Sequence, residues 1–405
     1  MKADLDAHMQ AAGLDALLIL SDGMPHAATT YFCGTTNAGT TLLLKPRGQP
    51  PILFHGNMER EQAALTGLPT RNFEQAGWGK TISSQAGEQL AAELEALQVR
   101  GNVAVHGKAE AGAVYSFLKA LEQAAPQISL ALEDTQSAVL MLTRSTKDAA
   151  EVERMRTVAR ATVSVVGNVV DFLMSHPARD GRLVNQQGEP LTVGEVKRRI
   201  NLWLAMKDLE NPEGTILAIG RETAFPHSTG RSDQPIPLGV PIILDIFPRE
   251  AGGGYFYDFT RTWSLGRAGD QLLAAYQDVA DCYHASLDGL RLGRATRELQ
   301  SQACDLFEAG GHPTLRSRPG TTDGYVHSLG HGVGLDVHEP PSMRHLETER
   351  SILQAGMVFT IEPGLYYPDR GFGVRLENTY VLGADGRAEA LAEFPEDLVL
   401  RAPGW

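Results

Sequence analysis

The chain has 405 residues, which is long enough for two or more domains with well-buried cores. Hydrophobic residues make up 42% of it and charged residues 21%, which is the balance of an ordinary globular protein rather than of a disordered or fibrous one. The net charge of −13 argues against nucleic acid or an anionic membrane surface as a partner.

The N-terminal residues and the cysteines predict a cytoplasmic location. The first residues alternate charged and apolar side chains and show no secretory leader, and no run of about 18 apolar residues predicts a membrane span. The three cysteines are odd in number and lack CxxC spacing, which is typical of reduced thiols. They are Cys33, Cys282 and Cys304.

Residues 1–140 are predicted to form an α/β domain. Strand-like apolar runs alternate with helical patterns over this region. The predicted strands begin near residues 17, 41, 51 and 103, and the predicted helices cover about 1–12, 58–66, 87–97 and 112–124. The region has no cluster of candidate ligands and no glycine-rich phosphate loop. We therefore expect a scaffold that contributes oligomer contacts, with a homodimer as the assembly.

A second domain is predicted over residues 141–405. The sequence changes from apolar to charged near residues 136–146, where Ser145 could cap a helix that runs towards Ser175. Two predicted helices, about 146–175 and 192–208, precede one pair of strands, and two more, about 269–291 and 294–309, precede a second pair. Because the order of elements repeats, we expect two similar halves related by a pseudo-twofold axis.

Five side chains of this domain could converge on one site. Asp245 lies in the apolar run PIILDIF and Asp258 in GYFYDFTRTW. His331 is flanked by glycines, Glu362 ends an apolar run, and Glu377 lies in GVRLENT. Because side chains alternate between the faces of a strand, each pair of strands can point both of its carboxylates inwards.

The charge of this set predicts a metal site. Four ionised carboxylates within a few ångströms would repel one another strongly, and two divalent cations would cancel that charge. Oxygen ligands with one imidazole suit Mn²⁺ best, with Co²⁺, Zn²⁺ and Fe²⁺ as alternatives. Two such ions about 3.5–4 Å apart generate hydroxide and polarise a carbonyl. Each acid alone could equally be a structural residue, but the ordered set favours hydrolytic chemistry.

The motifs around these residues resemble those of the pita-bread metallopeptidases, the family of methionine aminopeptidases, aminopeptidase P and prolidase. The matching motifs are DFTRT around Asp258, HxxGHGxGLxxHE from His327 to Glu339, TIEPG around Glu362 and VRLEN around Glu377. The resemblance implies an α+β protein, with a C-terminal pita-bread domain of pseudo-twofold halves behind a smaller creatinase-like α/β domain. An N-terminal domain of this size resembles the one that precedes the catalytic domain in creatinase, prolidase and aminopeptidase P.

One departure from the family concerns the first two acids. Asp245 and Asp258 are 13 residues apart, which is a longer spacing than is usual in the family. The segment PREAGGG fills the extra length, and its proline and glycines predict a longer hairpin loop that leaves both strands in register.

The resemblance also implies roles for residues beside the ligands. Asp258 and Glu377 are expected to bridge the two ions. Three histidines in Gly- or Pro-rich loops are expected to bind substrate or to stabilise the tetrahedral intermediate, namely His227, His327 and His338. Arg375 shares a strand face with Glu377 and is predicted to pair with a ligand carboxylate such as Asp258. Arg261 should point to the other face and be structural.

The predicted function is an exopeptidase that cuts bonds preceding proline in short peptides. A metal-bridging hydroxide would attack the scissile carbonyl while Glu362 moves the proton to the leaving amine. A dipeptidase of the prolidase type and an aminopeptidase P for longer peptides both remain open. A dipeptidase needs a cation for the substrate carboxylate, and Arg344 and Arg350 could supply it, although both could be solvated surface charges.

Two other classes are possible on the same fold. A creatinase-like C–N hydrolase would have its metal ligands replaced, and a non-catalytic binding protein would be expected to have lost them. All five ligand positions carry competent side chains, which argues against both classes.

Overall fold

A computed structural model describes residues 4–36, 39–79, 82–134, 138–344 and 351–401 of the chain. The chain divides into two compact units. The first comprises Met1–Arg144 with Ala251–Gly254, and the second comprises Ser145–Glu250 with Tyr255–Trp405.

The first unit is built on a six-stranded sheet. Its strands are β1 (Ala16–Asp22), β2 (Thr40–Pro46), β3 (Ile52–His55), β4 (Thr70–Asn72), β5 (Gly101–Lys108) and β6 (Ile128–Ala131). Its helices are α1 (Leu5–Ala11), α2 (Ala27–Cys33), α3 (Arg60–Leu65), α4 (Ser84–Ala96), α5 (Ala111–Ala124) and α6 (Val139–Ser145). The strand order is β4-β3-β2-β1-β5-β6, with β1 antiparallel to β2 and parallel to β5.

The apolar run of β1 explains why this sheet is covered on both faces. Leu18 and Leu20 belong to one buried cluster, and Leu17 and Ile19 belong to another. Since side chains alternate across a strand, an unbroken apolar run needs packing partners on both sides. Helices supply them, which confirms the predicted α/β character of this region.

The second unit contains four long helices and several sheets. Its helices are α7 (Ala149–Ser175), α8 (Val193–Ala205), α9 (Asp270–Asp288) and α10 (Thr296–Ala309). Its strands are β7 (Ala178–Arg179), β8 (Arg182–Leu183), β9 (Leu209–Glu210), β10 (Thr215–Ile219), β11 (Pro241–Ile246), β12 (Arg249–Glu250), β13 (Phe259–Leu265), β14 (His331–Gly332), β15 (Glu339–Ser342), β16 (Val358–Ile361), β17 (Gly364–Tyr367), β18 (Phe372–Arg375), β19 (Asn378–Leu382), β20 (Ala388–Ala390) and β21 (Val399–Leu400).

The elements of the second unit follow the same order twice. The helices α7 and α8 precede a four-stranded sheet of order β10-β11-β13-β21, and α9 and α10 precede a five-stranded sheet of order β15-β14-β16-β19-β20. The short pairs β17-β18, β9-β12 and β7-β8 complete the unit. The predicted succession of two helices and a strand pair in each half is therefore present.

The helix α7 begins three residues later than the sequence predicts. Ser145 ends α6 and does not cap α7. Asp148 is the cap, because its Oδ1 accepts hydrogen bonds from the backbone N–H groups of Ala150 and Glu151, each at 2.9 Å. The Glu151 carboxylate accepts the Asp148 N–H at 2.7 Å in return, which completes a capping box. Aspartate with glutamate three residues on is the stronger start signal.

By length and composition alone, α7 could cross a membrane. Its buried side chains recur every three or four residues, which is the pattern of a helix packed along one face against a protein core. They are Met155, Val158, Ala159, Thr162, Val165, Val166, Val169 and Leu173.

Hydrogen bonds to Glu250 hold the connection between β11 and β13 in place. Glu250 accepts two hydrogen bonds from Arg154, at 3.0 and 2.6 Å, and one from the Tyr255 N–H at 2.9 Å. The strand β12 within this connection pairs with β9. The strands β11 and β13 stay in register, with Asp245 opposite Thr260.

All three cysteines are buried. Cys33 belongs to a core cluster of the first unit, and Cys282 and Cys304 belong to that of the second. Burial raises the pKa of the Cys33 and Cys282 thiols to about 12 and raises the pKa of Cys304 as well.

Candidate metal centre

The five candidate ligands lie within or next to strands of the second unit. Asp245 is inside β11 and His331 opens β14. The other three lie one residue outside a strand: Asp258 precedes β13, Glu362 follows β16, and Glu377 precedes β19. The predicted strand positions of Asp258 and Glu377 are therefore shifted by one residue, where the backbone leaves the ladder.

Alternation along the strands selects which side chains meet. Phe359 and Ile361 of β16 pack into the core with α9 and α10, so Thr360 and Glu362 point the other way. In the next segment Val374 and Leu376 belong to the same core. Arg375 and Glu377 consequently share the opposite face, as the sequence predicts.

The structure brings the candidate ligand atoms together. The Nε2 atom of His331 lies 3.3 Å from Glu362 Oε1 and 3.6 Å from Asp258 Oδ2. One ligand atom from each of Asp258, His331 and Glu377 lies within 4.8 Å of the others. Asp245 joins this group through Arg375 and through its electrostatic effect on Asp258.

The His331 ring has the tautomer that a metal ligand needs. Its Nδ1 lies 3.1 Å from the carbonyl oxygen of Gly332 and donates to it, which leaves the Nε2 lone pair facing the acids. Burial lowers the pKa of His331, so the ring is neutral at pH 7. A neutral imidazole is the form that binds a cation.

Burial and mutual repulsion raise the pKa of three of the four carboxyls. Burial is the largest cause in each case, and the neighbouring carboxylates add to it. Asp258 and Glu377 have a pKa well above the ordinary value, and Glu362 has a raised pKa. The ionised forms of these acids therefore need a counter-charge.

The donor set fits divalent cations. Three buried carboxylate oxygens have no hydrogen-bond donor among the described residues, although nearly all buried polar atoms in proteins are paired. They are Asp245 Oδ1, Asp258 Oδ1 and Glu377 Oε1. Oxygen atoms of this kind beside one imidazole nitrogen are suitable ligands for Mn²⁺, Co²⁺, Fe²⁺ or Zn²⁺.

Arg375 pairs with the carboxylate of the candidate ligand Asp245, whereas Asp258, the example named from the sequence, is not its partner. Its Nη2 donates to Asp245 Oδ2 at 2.7 Å, and both groups are buried. The Nε atom lies 3.3 Å from the Thr260 hydroxyl, which is opposite Asp245 in the β11–β13 ladder. The guanidinium thus reaches past Thr260 to the next strand.

The predicted histidines occupy different surroundings. The His327 Nε2 is 2.8 Å from the Tyr366 hydroxyl, and burial lowers the pKa of this histidine. The His338 ring lies 4.3 Å from the His331 ring, centroid to centroid, and burial, His331 and His227 together lower its pKa to about 4. His227 is exposed, and it lowers the pKa of His327 and of His338. It follows Pro226, whose carbonyl oxygen accepts a hydrogen bond from Arg375 Nη1 at 3.4 Å.

Of the three further arginines considered from the sequence, Arg344 and Arg261 lie among the described residues. Arg344 is exposed and follows β15 closely. Arg350 lies outside the described residues. Arg261 is buried and donates to the backbone carbonyls of Thr260 and Glu377, so it is structural as predicted.

Sequence analysis missed three hydroxyl groups that orient the site. Thr260 donates to Glu377 Oε2 at 2.6 Å, and Thr360 lies 3.3 Å from Glu362 Oε1. Tyr366 links His327 to Arg375, whose Nη1 donates to the Tyr366 hydroxyl at 2.7 Å. Each threonine is two residues from a candidate ligand, so the period of a strand could have indicated it.

A buried cluster of four acids and one imidazole, carried on the strands of an α+β domain, defines a candidate metallohydrolase. The chain belongs to metallopeptidase family M24, whose sequence profile matches residues 153–384. The profile of the creatinase/prolidase N-terminal domain matches residues 2–158. These matches confirm the predicted family.

Curated relatives are similar over part of the chain. An Xaa-Pro dipeptidase of Pyrococcus furiosus is 32% identical over 206 residues, which are 51% of this chain and 55% of the relative. An Xaa-Pro dipeptidase of Pyrococcus horikoshii is 33% identical over 196 residues, which are 47% of this chain and 51% of the relative. The chain thus spans about half the length of these relatives.

Solved structures match the fold over almost the whole chain. A dipeptidase from Pyrococcus horikoshii OT3 has a TM-score of 0.76 at 23% identity and covers 98% of each chain. An X-Pro aminopeptidase from Thermotoga maritima MSB8 has a TM-score of 0.74 at 22% identity, covering 98% of this chain and 100% of the other. The predicted fold is therefore confirmed: a C-terminal pita-bread domain follows a creatinase-like N-terminal domain.

The raised carboxyl pKa values predict how the metal-free protein responds to pH. A carboxyl whose pKa is raised by folding stabilises the protein at low pH and loses that contribution as pH rises above the unfolded value of about 4. The buried histidines have lowered pKa values, so their contribution rises with pH but is nearly complete by about pH 7. Above about pH 7, where the histidine contribution is nearly complete, each carboxyl proton that the folded protein still holds should make the free energy of unfolding fall as pH rises, by up to about 1.4 kcal/mol per pH unit.

Thermal melts of chelator-treated protein at pH 7 and pH 8 measure this effect. Added Mn²⁺ should raise the melting temperature at both pH values by binding the folded state. Glu377→Gln removes one of the repelling acids and should reduce the pH dependence. A melting temperature of the metal-free protein that rises from pH 7 to 8 would contradict the argument.

Proposed function

We propose that this protein is an exopeptidase that hydrolyses the Xaa-Pro bond of short peptides with two divalent metal ions. The observation that carries the proposal is the convergence of acidic side chains on the imidazole of His331. Three buried carboxylate oxygens of the candidate ligands have no hydrogen-bond donor among the described residues. Membership of metallopeptidase family M24 supports it, as do relatives named Xaa-Pro dipeptidase. We assign residues 141–405 to catalysis and residues 1–140 to scaffolding.

In this proposal the five side chains at the centre hold the cations. They are Asp245, Asp258, His331, Glu362 and Glu377. When bound, divalent cations acidify water and polarise a carbonyl. Asp258 and Glu377 would help to hold both cations, and Thr260 holds the Glu377 carboxylate through its Oε2. Arg375 holds the Asp245 carboxylate through its Oδ2. Glu377 and Asp245 thus each have one carboxylate oxygen fixed by a protein hydrogen bond and one that could bind a cation.

Glu362 is the proposed proton carrier. Burial raises its pKa in the metal-free protein, and its carboxylate is the acid–base group proposed for the proton transfer. Its Oε1 faces the Thr360 hydroxyl at 3.3 Å, and Oε2 is the atom that would take the proton of the attacking water. The same proton then passes to the nitrogen of the leaving proline.

His227 and His338 are the proposed contacts to substrate. The pKa of His338 is lowered to about 4, so its ring is neutral at pH 7 and can donate one N–H to a substrate carbonyl or to the oxyanion that develops there. His227 is exposed and is free to contact an end of the peptide. His327 acts through the Tyr366 hydroxyl, which also accepts from Arg375.

Several finer features belong to the same proposal. Mn²⁺ is the preferred ion because the ligand set is dominated by oxygen atoms. We expect the protein to be a homodimer, to lie in the cytoplasm and to act on proline-containing peptides. The creatinase-like C–N hydrolase and the non-catalytic binding protein stay weaker candidates, because neither accounts for a complete ligand set.

We expect a dipeptidase in preference to an aminopeptidase P. Ala-Pro should be cut at least about tenfold more efficiently than Ala-Pro-Ala, which corresponds to ~1.4 kcal/mol of transition-state discrimination. Arg344 is exposed and lies two residues after β15. Of the two candidate arginines, it is the one among the described residues that could bind the substrate carboxylate. Arg344→Ala should therefore lower kcat/KM for Ala-Pro about tenfold and leave Ala-Pro-Ala nearly unchanged.

Matched variants separate charge from surface effects in this experiment. Arg344→Lys should retain most of the preference, because the cation remains. Arg387→Ala removes another exposed arginine, 86% exposed in its side chain, and should change neither substrate. A tenfold preference for the tripeptide would assign the protein to the aminopeptidase P type. Unchanged dipeptide turnover in both Arg344→Ala and Arg350→Ala would remove the support for a dipeptidase.

A further inference from the structure

Lys147 and Glu339 form an ion pair that is almost completely buried. Their side chains are 1% and 0% exposed, and Lys147 Nζ lies 2.5 Å from Glu339 Oε1. Removing two charges from water costs about as much free energy as their attraction returns, so such a pair contributes little net stability. The ion pair is better explained as a contact that fixes the positions of the two segments that it joins.

The lysine end of the pair is fixed by backbone contacts. The Lys147 N–H donates to the Gly356 carbonyl at 2.6 Å, and Thr146 forms a bridge with Met357. Gly356 has a φ of +82°, and a Cβ there would lie 2.7 Å from the Lys147 carbonyl oxygen. Lys147 is thereby held against the residues that lead into β16, the strand that ends at Glu362.

The glutamate end lies beside two histidines of the site. Glu339 follows His338 directly and is opposite Gly332 in the β14–β15 ladder, next to His331. A Cβ on Gly334 would lie 2.1 Å from Glu339 Oε1, so the absence of a side chain at 334 makes room for the carboxylate. Glu339 thus packs against the turn of residues 333–338, whose last member is His338.

We propose that the Lys147–Glu339 pair positions His338 against His331. Neither Lys147 nor Glu339 touches substrate in this proposal, which rests on the proposed function of His338 as a substrate contact. His331 is held by hydrogen bonds to Gly332 and Thr360 and by one to the backbone of Val337, which belongs to the same turn as His338. Loss of the pair should therefore impair the use of substrate more strongly than the binding of metal.

The test uses the double variant Lys147→Met/Glu339→Gln in the full-length protein. Removing both charges avoids an uncompensated buried charge, so the variant should fold. We expect kcat/KM for Ala-Pro to fall at least about tenfold, which corresponds to ~1.4 kcal/mol, with the number of bound Mn²⁺ ions unchanged. In a His338→Ala background the same double change should have little further effect, because residues that act through one group are not additive.

A matched control and a second readout keep the outcomes distinct. Equivalent changes can be made in the first unit at Lys45, whose side chain is 1% exposed, and at Asp6, which is 2.5 Å away and 44% exposed. Lys45→Met/Asp6→Asn should leave kcat/KM unchanged. The NMR resonances of the His338 ring, assigned with His338→Gln, should shift in the Lys147→Met/Glu339→Gln variant as the His331 ring moves out of contact. Unshifted resonances, or fully additive losses with His338→Ala, would overturn the positioning role. A shifted ring in a protein that cuts no Xaa-Pro peptide would instead overturn the proposed function alone.

Discussion

Asp258→Asn should lower kcat for Ala-Pro at least about a thousandfold, which corresponds to ~4 kcal/mol of transition-state stabilisation. Asp258 is buried, its Oδ1 has no hydrogen-bond donor in the described part of the chain, and its Oδ2 faces the His331 ring. An amide has nearly the same shape but carries no charge, so in the proposed function the variant loses an anionic ligand while its packing is retained. The variant should also hold fewer than two Mn²⁺ ions per chain, whereas the unaltered protein should hold two.

Kinetic assays together with elemental analysis measure both parts of this prediction. Asp233→Asn is the matched control, because the same change is made at a side chain that is 87% exposed. The control should keep full activity and two ions. A fully active unaltered protein that holds one ion or none would refute the dinuclear proposal, as would Asp258→Asn with normal turnover.

Replacing proline by leucine in the substrate should lower kcat/KM at least about a hundredfold, which corresponds to ~2.7 kcal/mol. Metal-activated water can attack many amides, so selectivity must come from the groups that hold the peptide. In the proposed function His227 and His338 fix the peptide ends, and a pocket beside them accepts the imino ring. A leucine residue lacks that ring and carries an amide N–H that has no assigned partner in this proposal.

A panel of four peptides measures this selectivity. Ala-Pro and Ala-Pro-Ala should both be cut faster than Ala-Leu and Met-Ala-Ser. Comparing the peptides at equal Mn²⁺ loading ensures that differences come from substrate. Faster cleavage of Ala-Leu or Met-Ala-Ser than of both proline peptides would show that the site selects on something other than proline.

The five candidate ligands were predictable because each follows from local sequence. An acid in or beside an apolar strand is unusual, and the alternation of side chains directs it to the face that the core does not use. The strand β16 illustrates this, since Phe359 and Ile361 enter the core and Glu362 does not. The same rule could have identified Thr260 and Thr360.

Contacts between distant segments were not predictable in this way. The partner of Arg375 depends on the register of β11 against β13, and a long side chain can reach either of two neighbouring acids. Lys147 and Glu339 are 192 residues apart, so no local pattern joins them. The start of α7 was misplaced for a different reason, because Ser145 competes with Asp148, and only Asp148 has a glutamate three residues later.

The burial of the three thiols makes them natural reporters of local opening. At neutral pH the thiolate is the reactive form, and a pKa near 12 leaves almost none of it in Cys33 or Cys282. An alkylating reagent therefore modifies these residues only when the surrounding structure opens, at a rate set by the opening free energy. Since Cys33 lies in the first unit and Cys282 and Cys304 in the second, the mass of each labelled peptide would distinguish opening of one unit from opening of the other.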